Sequence, residues 1–197
     1  FLSLLMEHLP DWLAAFLLWA NLHILHLFPK GECLENAQRV AWALDRAEEI
    51  KPKLRYYCVY KRALMIDVLR EEAWAERARA LYELALEEKW VEDVRVDIQE
   101  HLLWACMELG DYARVAELLP LLTPSLGIDK LAVPLAIVAW KVHHNCDAAI
   151  ALLKKTLAKS PQDAQLLGCL SQLYAEIGDA SASAFYAERA ANSLSTE

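Results

Sequence analysis

The sequence predicts an all-α fold, an α-solenoid built from antiparallel helix pairs, because similar residues return at a fixed interval of 34 positions. Only five glycines interrupt a chain that is 56% apolar, which is the composition of an ordered, helix-rich chain. A period of this length is typical of stacked helical repeats. Residues 34 positions apart form a column of the repeat. Four columns recur: Leu102/Ala136/Leu170, Cys106/Trp140/Tyr174, Gly110/His144/Gly178 and Asp111/Asn145/Asp179.

The last unit shows how one repeat is built. Leucines and a tyrosine between Leu166 and Tyr174 recur at helical spacing, which indicates a buried stripe. Gly178-Asp179 then ends the helix, because glycine accepts a positive φ. Small residues between Ala184 and Ala191 form a second stripe, so a second helix packs closely on the first.

Extending this pattern along the chain predicts five helix pairs. Each 34-residue repeat has room for two helices of about a dozen residues each and for two turns. The predicted pairs are 10–28/34–50, 54–70/74–89, 93–109/112–122, 131–143/146–159 and 163–177/180–194.

Residues 96–197 resemble three units of the tetratricopeptide repeat. The last unit carries Leu167, Leu170, Ser171, Tyr174, Gly178-Asp179, Ser183, Ala187 and Ala190 at the family's positions. The resemblance implies one domain over 1–197, with divergent pairs in 1–95, and a right-handed superhelix that serves protein–protein interaction. The earliest unit departs from the pattern at Pro120, where its second helix is expected to end or kink.

Charge argues against one class of partner. The net charge of −8 disfavours binding to duplex nucleic acid, whose phosphates attract basic proteins. One segment, 51–62, mixes Lys and Arg with Tyr56, Tyr57 and Tyr60, which is a pattern suited to stacking on bases. The acidic residues of 83–100 are expected to cancel its field, so we interpret it as a solvated face.

Cysteine usage points to a reducing compartment. The five cysteines form no CxxC motif and are scattered over separate predicted helices, which predicts free thiols in a cytoplasmic protein. No secretory signal is evident. Because the sequence begins at Phe1, we expect a fragment or a processed chain, and a longer array is an open alternative.

The stretch from Trp12 to Phe28 holds no Asp, Glu, Lys or Arg. Its helical length of roughly 25 Å is short of a bilayer core of about 30 Å, so no membrane span is expected. Either it packs on the helix predicted at 34–50, or Trp12, Leu17 and Trp19 contact a second copy or another partner.

No catalytic constellation, cofactor motif or metal-ligand set is evident, so the sequence does not predict an enzyme. His23 and His26 lack a third ligand at a diagnostic spacing. His143, His144 and Cys146 surround a turn, and His144 stands where the repeat normally carries glycine. We interpret it as a substituted turn residue.

The resemblance also places candidate binding residues, because the first helix of each pair lines the concave face in this family. The candidates are Glu100, Trp104, Met107, Leu131, Val138, Lys141 and Gln172. The family's carboxylate clamp is excluded, since Glu100, Pro134 and Gly168 stand where its lysine would fall. The apolar character instead predicts an anchor site for a helix or an extended segment. The alternative is that Trp104 and Met107 are core.

The predicted function is therefore a scaffold or adaptor that binds a protein or peptide partner. Two alternatives stay open. One is a specialised cytosolic chaperone for a secreted or assembly substrate, which would use the same groove. The other is a regulatory or sensor domain of a larger protein.

Overall fold

A computed structural model gives the arrangement of residue 20 and residues 33–194. This part of the chain contains nine α-helices, one 3₁₀ turn at Pro52–Leu54, and no strand. The helices are α1 (Cys33–Ile50), α2 (Arg55–Leu69), α3 (Trp74–Ala85), α4 (Glu92–Glu108), α5 (Tyr112–Lys130), α6 (Ala132–Lys141), α7 (Cys146–Leu157), α8 (Ala164–Glu176) and α9 (Ala180–Leu194).

The all-α prediction is confirmed, and most predicted helices begin and end within a few residues of the observed ones. Helices joined by a short turn contact each other in the pairs α2/α3, α6/α7 and α8/α9. The second helix of one pair also contacts the first helix of the next, as α3 does with α4 and α7 with α8. This stacking buries apolar residues on one face of α2, α3, α4, α6, α7 and α8.

Two of the repeating columns supply the core. Leu102, Ala136 and Leu170 are each 0% exposed, so this column needs an apolar residue of variable size. Cys106, Trp140 and Tyr174 are also buried, one turn later on the same helices. Since residues four apart lie on one helix face, the two columns form one buried stripe per unit.

The other two columns build the turn between the helices of a pair. Gly110, His144 and Gly178 all take a positive φ, of 69°, 53° and 82°. The next residue in each case caps the following helix: Asp111, Asn145 and Asp179 each accept a hydrogen bond from a backbone N–H three residues on, at 3.0–3.1 Å. The interpretation of His144 as a turn residue is therefore confirmed.

Helix α5 is longer than predicted. We expected it to end by residue 122 because of Pro120, but helical structure continues past Pro120 and Pro124 as far as Gly127, and it resumes up to Lys130. A proline removes one hydrogen-bond donor, and here the neighbouring turns still form, with Thr123 Oγ1 donating to the Leu119 carbonyl at 2.6 Å. The break comes at Gly127, whose φ of 80° and ψ of 160° are not helical.

The described chain forms two compact units, Phe1–Leu109 and Gly110–Glu197. Unit 1 includes a core in which Ala20 and Cys58 pack with apolar residues of α1. Unit 2 has a core made by α6, α7 and α8, to which α9 adds Tyr186 and Ala190. The predicted pair 93–109/112–122 is divided by this boundary, and a single domain over 1–197 stays a prediction.

The apolar stretch Trp12–Phe28 lies outside the described residues except for Ala20, which is 1% exposed. The proposed contacts of Trp12, Leu17 and Trp19 therefore stay a prediction. Within the described ranges, no single helix has the length and apolar composition of a membrane span. Helices α5 and α6 have that length and composition only when they are taken together, and they are bent by 114° relative to each other. Cys58, Cys106, Cys146 and Cys169 are free thiols.

Candidate interaction surface on the first helices of unit 1

Helices α2 and α4 contact each other and are joined by two side-chain hydrogen bonds. The hydroxyl of Tyr60 donates to the carboxylate of Asp97. His101 Nδ1 donates to Asp67 Oδ2 at 2.8 Å. Each bond links one residue of α2 to one of α4, and Asp97 and His101 share a face of α4 because they are four residues apart. This face is thereby held in a fixed orientation.

Aromatic side chains pack around these two hydrogen bonds. Tyr82, from α3, stacks on His101 with ring centres 5.6 Å apart, and its hydroxyl lies 3.4 Å from Asp67. Tyr60 packs against Tyr82 and against Trp90 at 6.5 and 6.2 Å. Burial, reinforced by the neighbouring carboxylates, raises the pKa of both tyrosines far above the ordinary value. Both hydroxyls therefore keep their protons and act as donors.

Lys61 covers the outer side of this cluster. Its Nζ lies 4.8 Å from the ring centre of Tyr60 and 5.4 Å from that of Tyr57. Burial lowers the pKa of Lys61, and the charge of Asp97 opposes that shift. A cation held over two rings is a favourable arrangement, so Lys61 is fixed within the surface.

Two further residues of the basic segment 51–62 contact acidic groups. Arg62 donates to Asp45 at 2.7 Å and to Glu48 at 2.9 Å. The Tyr56 hydroxyl lies 3.5 Å from Glu87. Arg62 is therefore neutralised by α1 and not by the acidic residues of 83–100, of which Asp97 acts on Lys61 through its charge.

The predicted binding residues of unit 1 lie on α4. Glu100, Trp104 and Met107 are all half-buried, and they follow Asp97 along the helix. Trp104 is one turn from His101, so it continues the face that carries the contacts to α2. Trp104 is therefore partly exposed, as a residue that lines a groove must be. A half-buried tryptophan leaves part of its ring free for another molecule.

The predicted residues of unit 2 divide into two groups. Lys141 and Gln172 are exposed, and Lys141 Nζ lies 3.4 Å from the centre of the Trp140 ring. Leu131 and Val138 are only 1% and 7% exposed. A residue that lines a groove needs exposed surface, and Leu131 and Val138 offer a partner very little of it. Helix α6 has ten residues and contacts α5, α7 and α8, which leaves little of its surface uncovered.

Sequence reasoning missed the residues that organise the unit 1 surface, namely Asp67, Tyr82 and His101. One signal was present, because Asp67 and His101 are one repeat length apart. Their bond joins corresponding places on successive first helices.

The turn between α6 and α7 carries two histidines and a cysteine close together in the chain. His143 and His144 are exposed and Cys146 is half-buried. Over residues 33–194, three or more His, Cys, Asp or Glu side chains do not come together in an arrangement that could hold a metal ion.

The arrangement of paired helices is similar to that of a solved tetratricopeptide repeat structure. The match is to YrrB, described as a TPR protein with an unusual peptide-binding site, with a TM-score of 0.64 and 14% sequence identity. It covers 98% of this chain and 91% of that one. A scan against protein-family models finds no match, and neither does a search of curated proteins. The chain therefore has the fold of a helical-repeat protein, of the tetratricopeptide type.

Proposed function

We propose that this chain is a protein-interaction scaffold that binds an apolar protein or peptide segment and performs no catalysis itself. The TPR-like fold supports this, since a row of first helices offers an extended surface to a partner. YrrB is described as having a peptide-binding site, which is consistent with the same general role.

The observation that carries the proposal is the half-buried Trp104 on α4. Tryptophan is the residue type most enriched among the energetic centres of protein interfaces. Here its helix is fixed by the Tyr60–Asp97 and Asp67–His101 bonds, so the ring is presented with little freedom to lose on binding. Met107 extends the apolar surface by about one turn.

The polar groups of this surface have structural roles that fit a binding module. Tyr60 and Tyr82 retain their protons and donate to Asp97 and Asp67. They hold three helices together. Lys141 and Gln172, exposed in unit 2, are further candidates for partner contact by the same resemblance.

The test uses a peptide selected for binding to the intact chain from a random phage-displayed library. We expect Trp104→Ala to weaken its affinity by roughly 30-fold, equivalent to about 2 kcal/mol, as central aromatic anchors do. The matched control is Trp42→Ala, because Trp42 on α1 is 50% exposed. Isothermal titration calorimetry gives both dissociation constants.

Thermal unfolding of the same variants separates binding from folding. Trp104→Ala should cost less than the roughly 3–5 kcal/mol of a fully buried aromatic residue. If Trp104→Ala unfolds the chain, Trp104 is core. If it binds the selected peptide as well as Trp42→Ala does, the partner site lies elsewhere.

A further inference from the structure

Unit 2 contains a second candidate site on its second helices, away from the first-helix residues considered above. A cleft of about 470 Å³ opens between the end of α5 and the middle of α7. Its walls include Thr123, Ile128 and Asp129 from α5, Leu152 and Lys155 from α7, and Lys159 from the turn that follows α7. The break at Gly127 changes the direction of the chain at the end of α5, and this places Ile128 and Asp129 beside α7.

The floor of the cleft has apolar character. Leu152 is half-buried, and Ile128 is 55% exposed, a large fraction for an isoleucine. The two threonine hydroxyls are already used, since Thr123 Oγ1 and Thr156 Oγ1 donate to carbonyls one turn back in their own helices. A ligand therefore meets aliphatic carbon and no free hydroxyl there.

The rim is basic although the whole chain carries a net charge of −8. Lys159 Nζ forms an ion pair with Asp129 at 2.6 Å, with both side chains more than half exposed. Lys155 is exposed and has no ion-pair partner among the described residues. The rim thus offers one unpaired cation and a second cation that an incoming carboxylate can share with Asp129.

From this combination we propose that the cleft binds an acidic peptide segment that carries an apolar side chain. The apolar side chain lies on Ile128 and Leu152, and flanking carboxylates pair with Lys155 and Lys159. An extended peptide fits better than a small molecule, because small-molecule sites bury most of their ligand and these walls are open. This site is independent of the proposed function of the Trp104 surface.

The test uses three labelled, end-blocked pentapeptides and fluorescence polarisation with the full chain. The first has one leucine flanked on each side by two glutamates. The second replaces that leucine with glycine, and the third replaces the glutamates with glutamines. We expect the first to bind at least about five-fold more tightly than either of the others, since each loses one of the two contact types.

Variants of α7 assign the binding to the cleft. Lys155→Glu should weaken binding of the first peptide about ten-fold, because it replaces attraction by repulsion at the rim. The matched control is Lys154→Glu on the same helix, since Lys154 lies over the Tyr174 ring and not in the cleft. Asp129→Asn should strengthen binding, because it releases Lys159 from its ion pair. Trp104→Ala should leave the affinity unchanged.

Circular dichroism of each variant verifies that the fold is retained. The proposal is overturned if the first peptide does not bind, or if Lys154→Glu weakens it as much as Lys155→Glu does. It is equally overturned if Asp129→Asn weakens binding, or if the glycine peptide binds as tightly as the leucine peptide, because the apolar floor would then have no role.

Discussion

At the scale of single residues, the turn column shows how one position can be filled by unlike residues. Gly110 and Gly178 take the left-handed conformation without steric cost, whereas His144 takes it at a φ of 53° with a side chain present. The left-handed region costs an L-residue roughly 1–2 kcal/mol. The backbone at His144 is therefore strained, and the packing of its repeat keeps it in this conformation.

We predict that His144→Gly stabilises the protein by about 0.5–1 kcal/mol, since relief of the strain exceeds the added entropy of a glycine in the unfolded chain. Urea unfolding at pH 7 measures the change. His144→Ala is the control, because it removes the imidazole and keeps the strained backbone, and it should change stability little. A destabilising His144→Gly would show that the imidazole makes a contact that outweighs the strain.

The exposed fraction of the Trp104 side chain is also a property of a single residue, which the repeat pattern does not specify. A periodic pattern assigns a residue to a helix face but not to a fraction of exposed surface. The same pattern placed Val138 and Gln172 in one column with Trp104, yet Val138 is buried and Gln172 exposed. Only the neighbours of each helix decide which member of a column is available to a partner.

At the scale of helices, capping explains why α5, α7 and α9 begin where they do. The first turn of a helix has unpaired N–H groups, and an Asp or Asn at the cap satisfies one of them. Asp111, Asn145 and Asp179 all do so. This is why all three units carry Asp or Asn in this column.

We predict that Asp179→Ala destabilises the protein by about 1 kcal/mol, the usual cost of a lost N-cap. Glu188→Ala on the same helix is the control, since Glu188 is exposed and removal of its carboxylate should change stability by less than about 0.5 kcal/mol. Both values come from urea unfolding followed by circular dichroism. Equal effects of the two substitutions would mean that charge, and not capping, matters at Asp179.

The same scale shows where helix prediction failed. Proline usually marks the end of a helix. In α5, the burial of apolar side chains favours continued helix more strongly than Pro120 opposes it. Val115, Leu118, Leu119 and Leu122 are all nearly inaccessible, so apolar packing continues through Pro120 and favours continued helix. The helix breaks instead at Gly127, where glycine permits a φ of 80°.

At the scale of the whole molecule, several buried acids keep their protons well above neutral pH. Burial raises the pKa of Cys58 and of Cys169 to about 11, and it raises those of Tyr60 and Tyr82 further. In the unfolded chain these groups ionise at their ordinary pKa values of roughly 8.5–10. The folded state thus binds more protons than the unfolded state in alkaline solution.

We therefore predict that the free energy of unfolding is unaffected by these groups at pH 7 and falls as the pH rises from about 9 to about 11. Urea unfolding at pH 7, 9 and 10.5 measures the slope. Tyr82→Phe should reduce the slope, because phenylalanine cannot ionise in the unfolded chain. A stability that rises over this range, or a slope that Tyr82→Phe leaves unchanged, would contradict the assignment.

The sequence by itself determined the pairs α2/α3, α6/α7 and α8/α9, the turns with their caps and the buried stripe of the first helices, because each depends on residues close together in the chain. Tertiary structure alone decided the surfaces. The bond between Asp67 and His101, the aromatic cluster of Tyr60 and Tyr82, and the cleft beside Lys155 all join different helices. Such contacts depend on how far each helix is rotated against its neighbour. A repeat period specifies that rotation only to within about one residue, and one residue around a helix is enough to exchange a buried side chain for an exposed one.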